Sequence, residues 1–517
     1  MGAFGVAFTH IREDSGLVEY AVAVLAIYLL MVLIRRPKNL PPGPTGLPII
    51  GSLHLLGQRP HERLAQMAHK YKPLMSLYLG QKLCIVATSS ETAMEFLKTQ
   101  DNVFSSRPPL RGAEIIFPKD ISFSDITPEA RQMRKIFHLQ LISGRRIEES
   151  EHIRAEEIAQ MVRSIPSGKV VNVKSCLDAM TANIFTRLII GKRFMGRSGM
   201  DEAEQKELQD FIEITDEIDL LLGTPNPRDL IPAFKWVDLT GLDKRYTNLR
   251  SRMESFLSKI IAEHRHKSQK DRVMTVDTHQ DFLDTLLHQM DSTDGQEITE
   301  QVVTSIIWEA FAAGMETSAL VSEWTMAEVL RNPHILKKAQ DELDTEVGQT
   351  RRVQESDLPK LKYLKAIVKE ALRLHPIIPT LVPHQSNAAC KAFGYDIPAK
   401  TQLMVNVWAI GRDPAVWTNP LDFDPERFLG GDQRHVGTDF SGKSFELLPF
   451  GSGRRMCMGM PLGTLLVETG IANLLHCFSW SLPTDLDMSE GVGLSAKKAV
   501  PLCAVASSRL PSAVFVN

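Results

Sequence analysis

A single cysteine stands in a loop rich in glycine and arginine near the end of the chain. Residues 447–463 read LLPFGSGRRMCMGMPLG, with Cys457 two residues after Arg455 and two before Gly459. Glycine lets the backbone turn tightly and approach a flat ligand, and a thiolate that accepts backbone N–H groups is a tuned, soft metal ligand. The arginine can donate two parallel hydrogen bonds to a carboxylate of that ligand. A lone cysteine is more often a small buried hydrophobe, and the surrounding spacing is what favours a ligating role here.

A second group of reactive side chains lies within a long apolar pattern. Residues 299–333 predict one helix that stops before Pro333, with AAGMETS at its centre. Gly314 costs a helix about 1 kcal/mol relative to alanine, so we expect a kink or a widened turn that makes room for a small ligand. Glu316 and Thr317 then supply a carboxylate and a hydroxyl that can relay protons. Such a pair is also ordinary composition for a helix surface.

The elements that position these residues are predicted to be mostly helical. Strand-like runs occur at 74–89, amphipathic helical patterns dominate from about 125 to 375, and short strands and loops return from about 377 to 430. A last helix follows the cysteine loop, and the chain has no internal repeat. The sequence therefore predicts a single body that is mostly α with a small β component.

Composition excludes several classes of function. The 517 residues are 43% hydrophobic and carry a net charge of -3, so the chain can bury a large core and shows no basic surface for nucleic acid. The six cysteines are scattered and include no CxxC pair, which argues against a disulfide framework and against zinc. We therefore expect no nucleic-acid partner.

The N-terminus predicts a membrane anchor. Residues 17–34 are apolar apart from Glu19, which is close to the length that a bilayer core requires. Arg35 and Arg36 follow at once and favour a cytosolic location for the rest of the chain. A cleaved signal peptide is the competing interpretation, but no small-residue cleavage site closes the stretch. The predicted segments are a lumenal segment at 1–16, the transmembrane anchor at 17–34 and a basic, proline-rich hinge at 35–51.

The cysteine loop resembles the haem-binding signature of the cytochrome P450 family, Phe-x-x-Gly-x-Arg-x-Cys-x-Gly. Phe450, Gly453, Arg455, Cys457 and Gly459 meet it. The resemblance implies a cytochrome P450 fold behind the transmembrane helix, with a haem-thiolate catalytic domain at 52–517. It also implies haem b with the thiolate as axial iron ligand, and O2 as cosubstrate. The family location implied is the endoplasmic reticulum membrane, single-pass, with the catalytic domain in the cytosol.

Other motifs resemble the family in the expected order. AAGMETS matches the acid–threonine element for oxygen activation, which implies catalytic roles for Glu316 and Thr317. KEALRLHP and FDPERF match the elements that form a buried structural triad, here Glu370, Arg373 and Arg427. Taken alone, the first two of these would be an exposed ion pair of little energetic weight.

Two positions concern the propionates of the haem. ITPEARQMRKIF resembles a family helix in which a tryptophan precedes an arginine by four residues; Arg134 is present, but Ala130 replaces the tryptophan. His384 occupies a position where similar proteins use Arg or His for a propionate, and a solvated loop histidine is the alternative. The cofactor-binding residues implied by the resemblance are Cys457, Arg455, Phe450, Gly451, Gly453, Gly459, Arg134 and His384.

Finer resemblances concern the substrate and the electron source. LPPGPTGLPIIG, FSSRP and GVGLSAKKAVPL look like plant microsomal P450s of the A-type group, especially phenylpropanoid and flavonoid hydroxylases. This implies hydroxylation of a small hydrophobic phenolic, while fatty acids and terpenoids stay open, as do a haem electron carrier and a non-catalytic binding protein. No GxGxxG motif stands in a strand-turn-helix setting, so NADPH is expected to act through a separate reductase. The substrate pocket expected by analogy consists of Ile307, Ala310, Ala313, Ile378, Leu381, Val382 and Val492.

Overall fold

The structure is a computed structural model that describes residues 37–196, 200–271, 281–291, 298–430 and 433–516. The predicted anchor at 17–34 lies outside these residues. Within the described ranges, no helix is both long enough and apolar enough to cross a membrane.

The α-helix is the main secondary structure of the described chain. In chain order they are α1 (Pro60–Tyr71), α2 (Ser90–Met94), α3 (Arg111–Ile116), α4 (Pro128–Phe137), α5 (Gly144–Glu149), α6 (Glu151–Ser164), α7 (Val173–Ile190), α8 (Glu202–Gly223), α9 (Pro227–Leu230), α10 (Leu242–Asp271), α11 (Phe282–Asp291), α12 (Glu300–Arg331), α13 (Pro333–Glu346), α14 (Lys362–Leu374), α15 (Val407–Ile410), α16 (Met460–Cys477) and α17 (Ala513–Val516).

The strands are short. They are β1 (Leu74–Leu79), β2 (Lys82–Ala87), β3 (Lys169–Asn172), β4 (His384–Gln385), β5 (Cys390–Ala392), β6 (Tyr395–Ile397), β7 (Gln402–Val405), β8 (Phe478–Ser481) and β9 (Cys503–Ser508). The largest described sheet has the order β1-β2-β7-β4, and smaller sheets have the orders β3-β9-β8 and β5-β6. Strands β1 and β2 pair antiparallel, whereas β2 and β7 run parallel. The predicted strand region at 74–89 is therefore confirmed as a hairpin.

The central helix α12 is bounded by ordinary sequence signals. The side chain of Thr299 accepts the backbone N–H of Val302, which satisfies one of the free donors at the start of the helix. The helix ends at Arg331 because Pro333 disfavours helical backbone in the residue before it. The prediction of one helix over 299–333 is confirmed to within two residues.

Helix α12 also runs through the largest hydrophobic cluster of the protein. It packs against α7, α14 and α16, and its Trp308 and Trp324 are among the largest fully buried side chains. A helix that is apolar on nearly all sides is a core helix. Side chains on α12 are therefore held by close packing from several directions, which suits a helix that must position reactive groups.

Candidate active site

One cavity of about 640 Å³ brings most of the predicted chemistry together. Its wall includes parts of α4, α7, α8 and α12, the loop that carries Cys457 and the segment that follows α14. The predicted residues that border it are Arg134, Ala310, Ala313, Glu316, Thr317, Ile378, Leu381, Val382, His384, Phe450, Gly451, Arg455, Cys457 and Gly459.

Two residues predicted for the substrate pocket do not border this cavity. Ile307 is fully buried in the hydrophobic core, because it precedes the stretch of α12 at 309–318 that forms the wall. Val492 is 60% exposed, whereas its neighbour Leu494 borders the cavity. Their contact with a substrate stays a prediction, since analogy by segment does not determine which side chain of a helix or turn faces inward.

The loop before α16 holds Cys457 by tight turns. The backbone N–H of Cys457 donates to the carbonyl oxygen of Phe450 at 2.9 Å, and Gly451 and Gly453 have φ values of 69° and 68°. A Cβ atom at Gly453 would lie 2.5 Å from the carbonyl oxygen of Leu97, so glycine is required there by close packing as well as by backbone conformation. Gly453 thus supports the loop without bordering the cavity.

The side chain of Cys457 faces the cavity instead of packing into the core. It is exposed there, although the sulfur is shielded from the outer surface. Burial raises the pKa of this thiol, while the backbone N–H groups of Gly459 and Met460 and the charge of Arg134 act in the opposite direction. These donors are the groups that stabilise a ligating thiolate.

Arg455 is buried beside this loop and already has hydrogen-bond acceptors. Its guanidinium donates to the carbonyl oxygens of Ser105, Ile121 and Ser124, at 2.7, 3.3 and 2.6 Å. Burial, together with the nearby charge of Arg134, lowers the pKa of Arg455 to about 10. Because a guanidinium has five N–H donors, two remain for a carboxylate of a bound ligand.

Arg107 is a functional candidate that sequence reasoning missed. It borders the cavity and donates to the carbonyl oxygens of Ser122, Val382 and Pro383. Burial lowers its pKa to about 9, and the charges of neighbouring arginines act in the same direction. The arginine of FSSRP was the available sequence signal, but this motif by itself indicates only the subclass.

Arg134 and His384 complete this part of the wall. The side chain of Arg134 forms no hydrogen bond or ion pair with any residue in the described ranges. His384 is only 5% exposed, so the alternative of a solvated loop histidine is wrong. Its Nδ1 lies 2.8 Å from the carbonyl oxygen of Phe104, and burial, reinforced by the charge of Arg107, lowers its pKa to about 3. The ring is therefore neutral, and its Nε2 is a hydrogen-bond acceptor. A carboxylate of a bound ligand beside Nε2 would favour protonation of the ring.

This donor set fits a haem. Cys457 supplies one soft anionic ligand at the cavity wall, and three arginines that border the same cavity supply the positive charge that two propionates need. The unpaired guanidinium of Arg134 is the most direct sign, because a partly buried charge without a partner is costly. Cys457 would hold the iron, and Arg107, Arg134 and Arg455 would hold the propionates. When bound, the haem iron would supply oxygen activation.

The acid–threonine element borders the same cavity. Helix α12 continues through it as α-helix, so the widened turn expected as one alternative at Gly314 is not present. The hydroxyl of Thr317 instead donates to the carbonyl oxygen of Ala313 at 2.6 Å, a bond that competes with the helical ladder at this point. Burial raises the pKa of Glu316 to about 7, and the charge of Asp219 raises it further. Glu316 can therefore take up and release a proton near neutral pH.

Glu309 is a second acid on α12 that the sequence analysis did not single out. It borders the cavity, and its Oε2 accepts the backbone N–H of Ile121 at 2.9 Å. Burial raises its pKa to about 7, with a further contribution from Asp120. Glu309 thus fastens the loop that covers the cavity to the helix that carries Thr317. An acid in the apolar pattern IIWEAFAA was the available signal.

The predicted triad is present and lies outside the cavity wall. Glu370 Oε2 is 2.7 Å from Arg373 Nε, and Glu370 Oε1 is 2.9 Å from Arg427 Nε. All three side chains are at most 3% exposed. The arginines also donate to backbone carbonyls, including those of Pro420 and Thr418. The triad therefore ties α14 to the loops that lead towards the cysteine loop, which is a structural role.

Gly314 is expected to be essential for packing. A Cβ atom there would lie 2.2 Å from Cε1 of Phe185 on α7, so Gly314→Ala should destabilise the protein by about 1–3 kcal/mol through overpacking, despite the better helix propensity of alanine. Urea denaturation of the variant tests this. Adding Phe185→Leu should restore part of the loss, and a Gly314→Ala protein as stable as the wild type would contradict the steric account.

Comparison with known proteins agrees with this geometry. The family model for cytochrome P450 matches residues 41–500. A flavonoid 3',5'-hydroxylase from Solanum melongena is 37% identical over 515 residues, covering 97% of this chain and 98% of that protein. A flavonoid 3'-monooxygenase from Petunia hybrida is 38% identical over 523 residues, covering 98% and 100%. The solved structure of a zebra fish cytochrome P450 with progesterone is 27% identical, with a TM-score of 0.71 and coverage of 87% of this chain and 99% of that chain. The chain therefore belongs to the cytochrome P450 family and is a monooxygenase.

Proposed function

We propose that this monooxygenase hydroxylates a small phenolic substrate of flavonoid or phenylpropanoid type. The observation that carries the proposal is the single cavity in which the Cys457 loop and the Glu316–Thr317 pair face a common space. Two relatives that are more than a third identical to this chain are named as flavonoid hydroxylases, which favours the same substrate class. Hydroxylation of a flavanone by the purified protein with its reductase tests the proposal.

The shape of the cavity supports a flat aromatic substrate. Ala310 and Ala313 present small side chains towards it from α12, and Ile378 and Leu381 add apolar surface. Pockets of this kind are apolar, with a few polar groups that fix orientation. We infer that an aromatic ring lies against the alanine face of α12, close to Thr317.

The residues of the chain divide the work of the reaction. Cys457 would hold the haem, and Arg107, Arg134 and Arg455 would hold its carboxylates. Thr317 borders the cavity with a hydroxyl that now donates to the Ala313 carbonyl oxygen and could donate instead to a ligand in the cavity. Glu316, with a pKa near neutrality, supplies protons to that hydroxyl. The apolar wall excludes bulk water and so limits wasteful proton leakage.

We further infer that electrons come from NADPH through a separate reductase, with both proteins in the endoplasmic reticulum membrane. The apolar segment at 17–34 and the basic residues after it support an anchor with a cytosolic catalytic domain. Fractionation of cells that express the full chain, with protease protection of each end, tests this location. A lumenal catalytic domain would contradict it.

Replacing Thr317 should separate electron use from product formation. Without the hydroxyl, Thr317→Ala should lower the product formed per NADPH by about tenfold or more, because proton delivery loses its positioned donor. Thr317→Ser keeps a hydroxyl and is the matched control, expected to retain most of the coupling. The measurement is NADPH consumed against hydroxylated product; full coupling in Thr317→Ala would rule out the relay.

A further inference from the structure

Charged side chains form two separate groups around the cavity. The arginines described above border it beside Cys457. A second group borders it where α7, α8 and α12 supply the wall, and its carboxylates are those of Asp178, Asp216, Asp219 and Glu316. We call these four carboxylates the acidic end.

The carboxylates of the acidic end lie close enough to affect one another. After burial, the charge of Asp219 is the largest influence that raises the pKa of Glu316. Burial also raises the pKa of Asp219, and the charge of Asp216 adds to it. None of the cavity arginines is among the charges that act on Glu316. The acidic end therefore has an electrostatic environment of its own.

Lysines compensate only part of this negative charge. Lys174 forms an ion pair with Asp178 one helical turn away, and Lys497 Nζ lies 3.7 Å from Asp219 Oδ2. Asp216 and Glu316 form no direct ion pair with any residue that the structure describes. Four carboxylates thus face two ammonium groups, which leaves an excess of negative charge even when Glu316 is protonated.

The arginines on the other part of the wall do not offset this excess for a substrate. Arg107 and Arg455 donate to backbone carbonyls, and a haem would use the remaining donors of the group, Arg134 included, for its propionates. A carboxylate that enters the cavity would lose its water and find no free cation among the described residues that border it. It would also meet Asp219 and Glu316, which are partly buried, so that charges there interact more strongly than in water, while the exposed Asp216 adds negative charge from the solvent side.

We propose that the acidic end makes this enzyme select uncharged substrates with hydrogen-bond-donating hydroxyl groups and discriminate against carboxylates of the same carbon skeleton. Carboxylate oxygens accept hydrogen bonds, so hydroxyl groups of a neutral phenolic are matched to them. The inference rests on the proposed hydroxylase function and narrows its substrate class, because fatty acids and phenolic acids carry the disfavoured charge.

The test uses two pairs of probes that differ in charge: p-coumaryl alcohol with p-coumarate, and dodecan-1-ol with dodecanoate. Binding to the haem-loaded full-length protein is followed by the shift in its absorption spectrum. Any apolar site favours a neutral ligand, because a neutral ligand loses its water more easily than a charged one. Tighter binding of the alcohols by the wild type is therefore not sufficient, and the variants decide the question. Asp216→Asn should strengthen the binding of both carboxylates by about fivefold and leave the alcohols within about twofold. Lys497→Met, which removes the partner of Asp219, should weaken carboxylate binding.

A surface substitution controls for net charge. Asp341 lies on α13, and its side chain is 61% exposed, so Asp341→Asn should change neither member of a pair. The proposal would be overturned if the carboxylate affinities did not respond to Asp216→Asn and Lys497→Met. It would also be overturned if the alcohol affinities responded equally, or if neither alcohol bound. A protein with the expected charge response that hydroxylates no phenolic would overturn the proposed function alone.

Discussion

Replacing Cys457 with serine should abolish the thiolate–haem absorption band of the reduced, carbon-monoxide-treated protein and leave the fold intact. The side chain faces the cavity and fills no core space, so the substitution creates no packing defect. A serine hydroxyl stays protonated at neutral pH, and the N–H groups of Gly459 and Met460 that favour a thiolate cannot make it an equivalent ligand. The predicted change in the spectrum is a complete loss of the band.

Cys503 provides the matched control for this substitution. It is an exposed cysteine on β9 and does not border the cavity, so Cys503→Ser should keep the band at full intensity. Circular dichroism of both variants shows whether the helical content is unchanged. A band that survives in Cys457→Ser, or that disappears in Cys503→Ser, would contradict the assignment of the ligand.

The second large effect is expected at the buried triad. Glu370→Gln removes the negative charge that lies between Arg373 and Arg427, both at most 3% exposed. Removing one partner of a buried ion pair costs about 3–5 kcal/mol, because the remaining charge stays in a medium that solvates it poorly. Two arginines would be left here, so we expect a value at the upper end of this range, measured by urea denaturation and by the loss of soluble protein.

An exposed glutamate serves as the control. Glu426 pairs with Lys338, and both side chains are more than two-fifths exposed, so Glu426→Gln should change the free energy of unfolding by less than about 1 kcal/mol. Equal stability of the Glu370→Gln and Glu426→Gln proteins would show that the triad is not structurally important. If the activity of Glu370→Gln falls only in proportion to the amount of folded protein, this agrees with the position of the triad away from the cavity.

Local sequence patterns predicted the parts of the site that depend on short stretches of chain. The glycine turns and the Arg455–Cys457 spacing lie within one loop, and AAGMETS lies within one helix, so their residue types determine local geometry directly. The confirmed strand hairpin and the bounds of α12 follow from periodicity and a proline. The buried triad was predicted only through resemblance, because nothing in two distant motifs shows that they meet.

The remaining features depend on contacts between segments that are distant in the sequence. Arg107 and Glu309 bind backbone groups of the loop over the cavity, and a carbonyl or an N–H group carries no sequence signal. Gly314 was expected to kink α12, whereas its role is to admit the ring of Phe185. Ile307 lies on the same helix, but two residues before the stretch that meets the cavity.

The acidic end could not be predicted from the sequence, because its carboxylates come together only in the folded protein. Asp216 and Glu316 stand a hundred residues apart in the sequence, the first in an amphipathic pattern and the second in a mostly apolar one. In the fold they border one cavity and share the influence of Lys174 and Lys497. Net charge over the whole chain, which is -3, gives no indication of this local excess.

The most direct test of the central claim is the fate of molecular oxygen. The full-length protein, supplied with a reductase and NADPH, is given a neutral flavanone under isotopically labelled dioxygen, and the product is analysed by mass spectrometry. The account predicts a hydroxylated flavanone that carries one labelled oxygen atom, with formation strongly reduced in Thr317→Ala and absent in Cys457→Ser. Oxygen consumption without a labelled product would contradict it and would indicate a haem electron carrier instead.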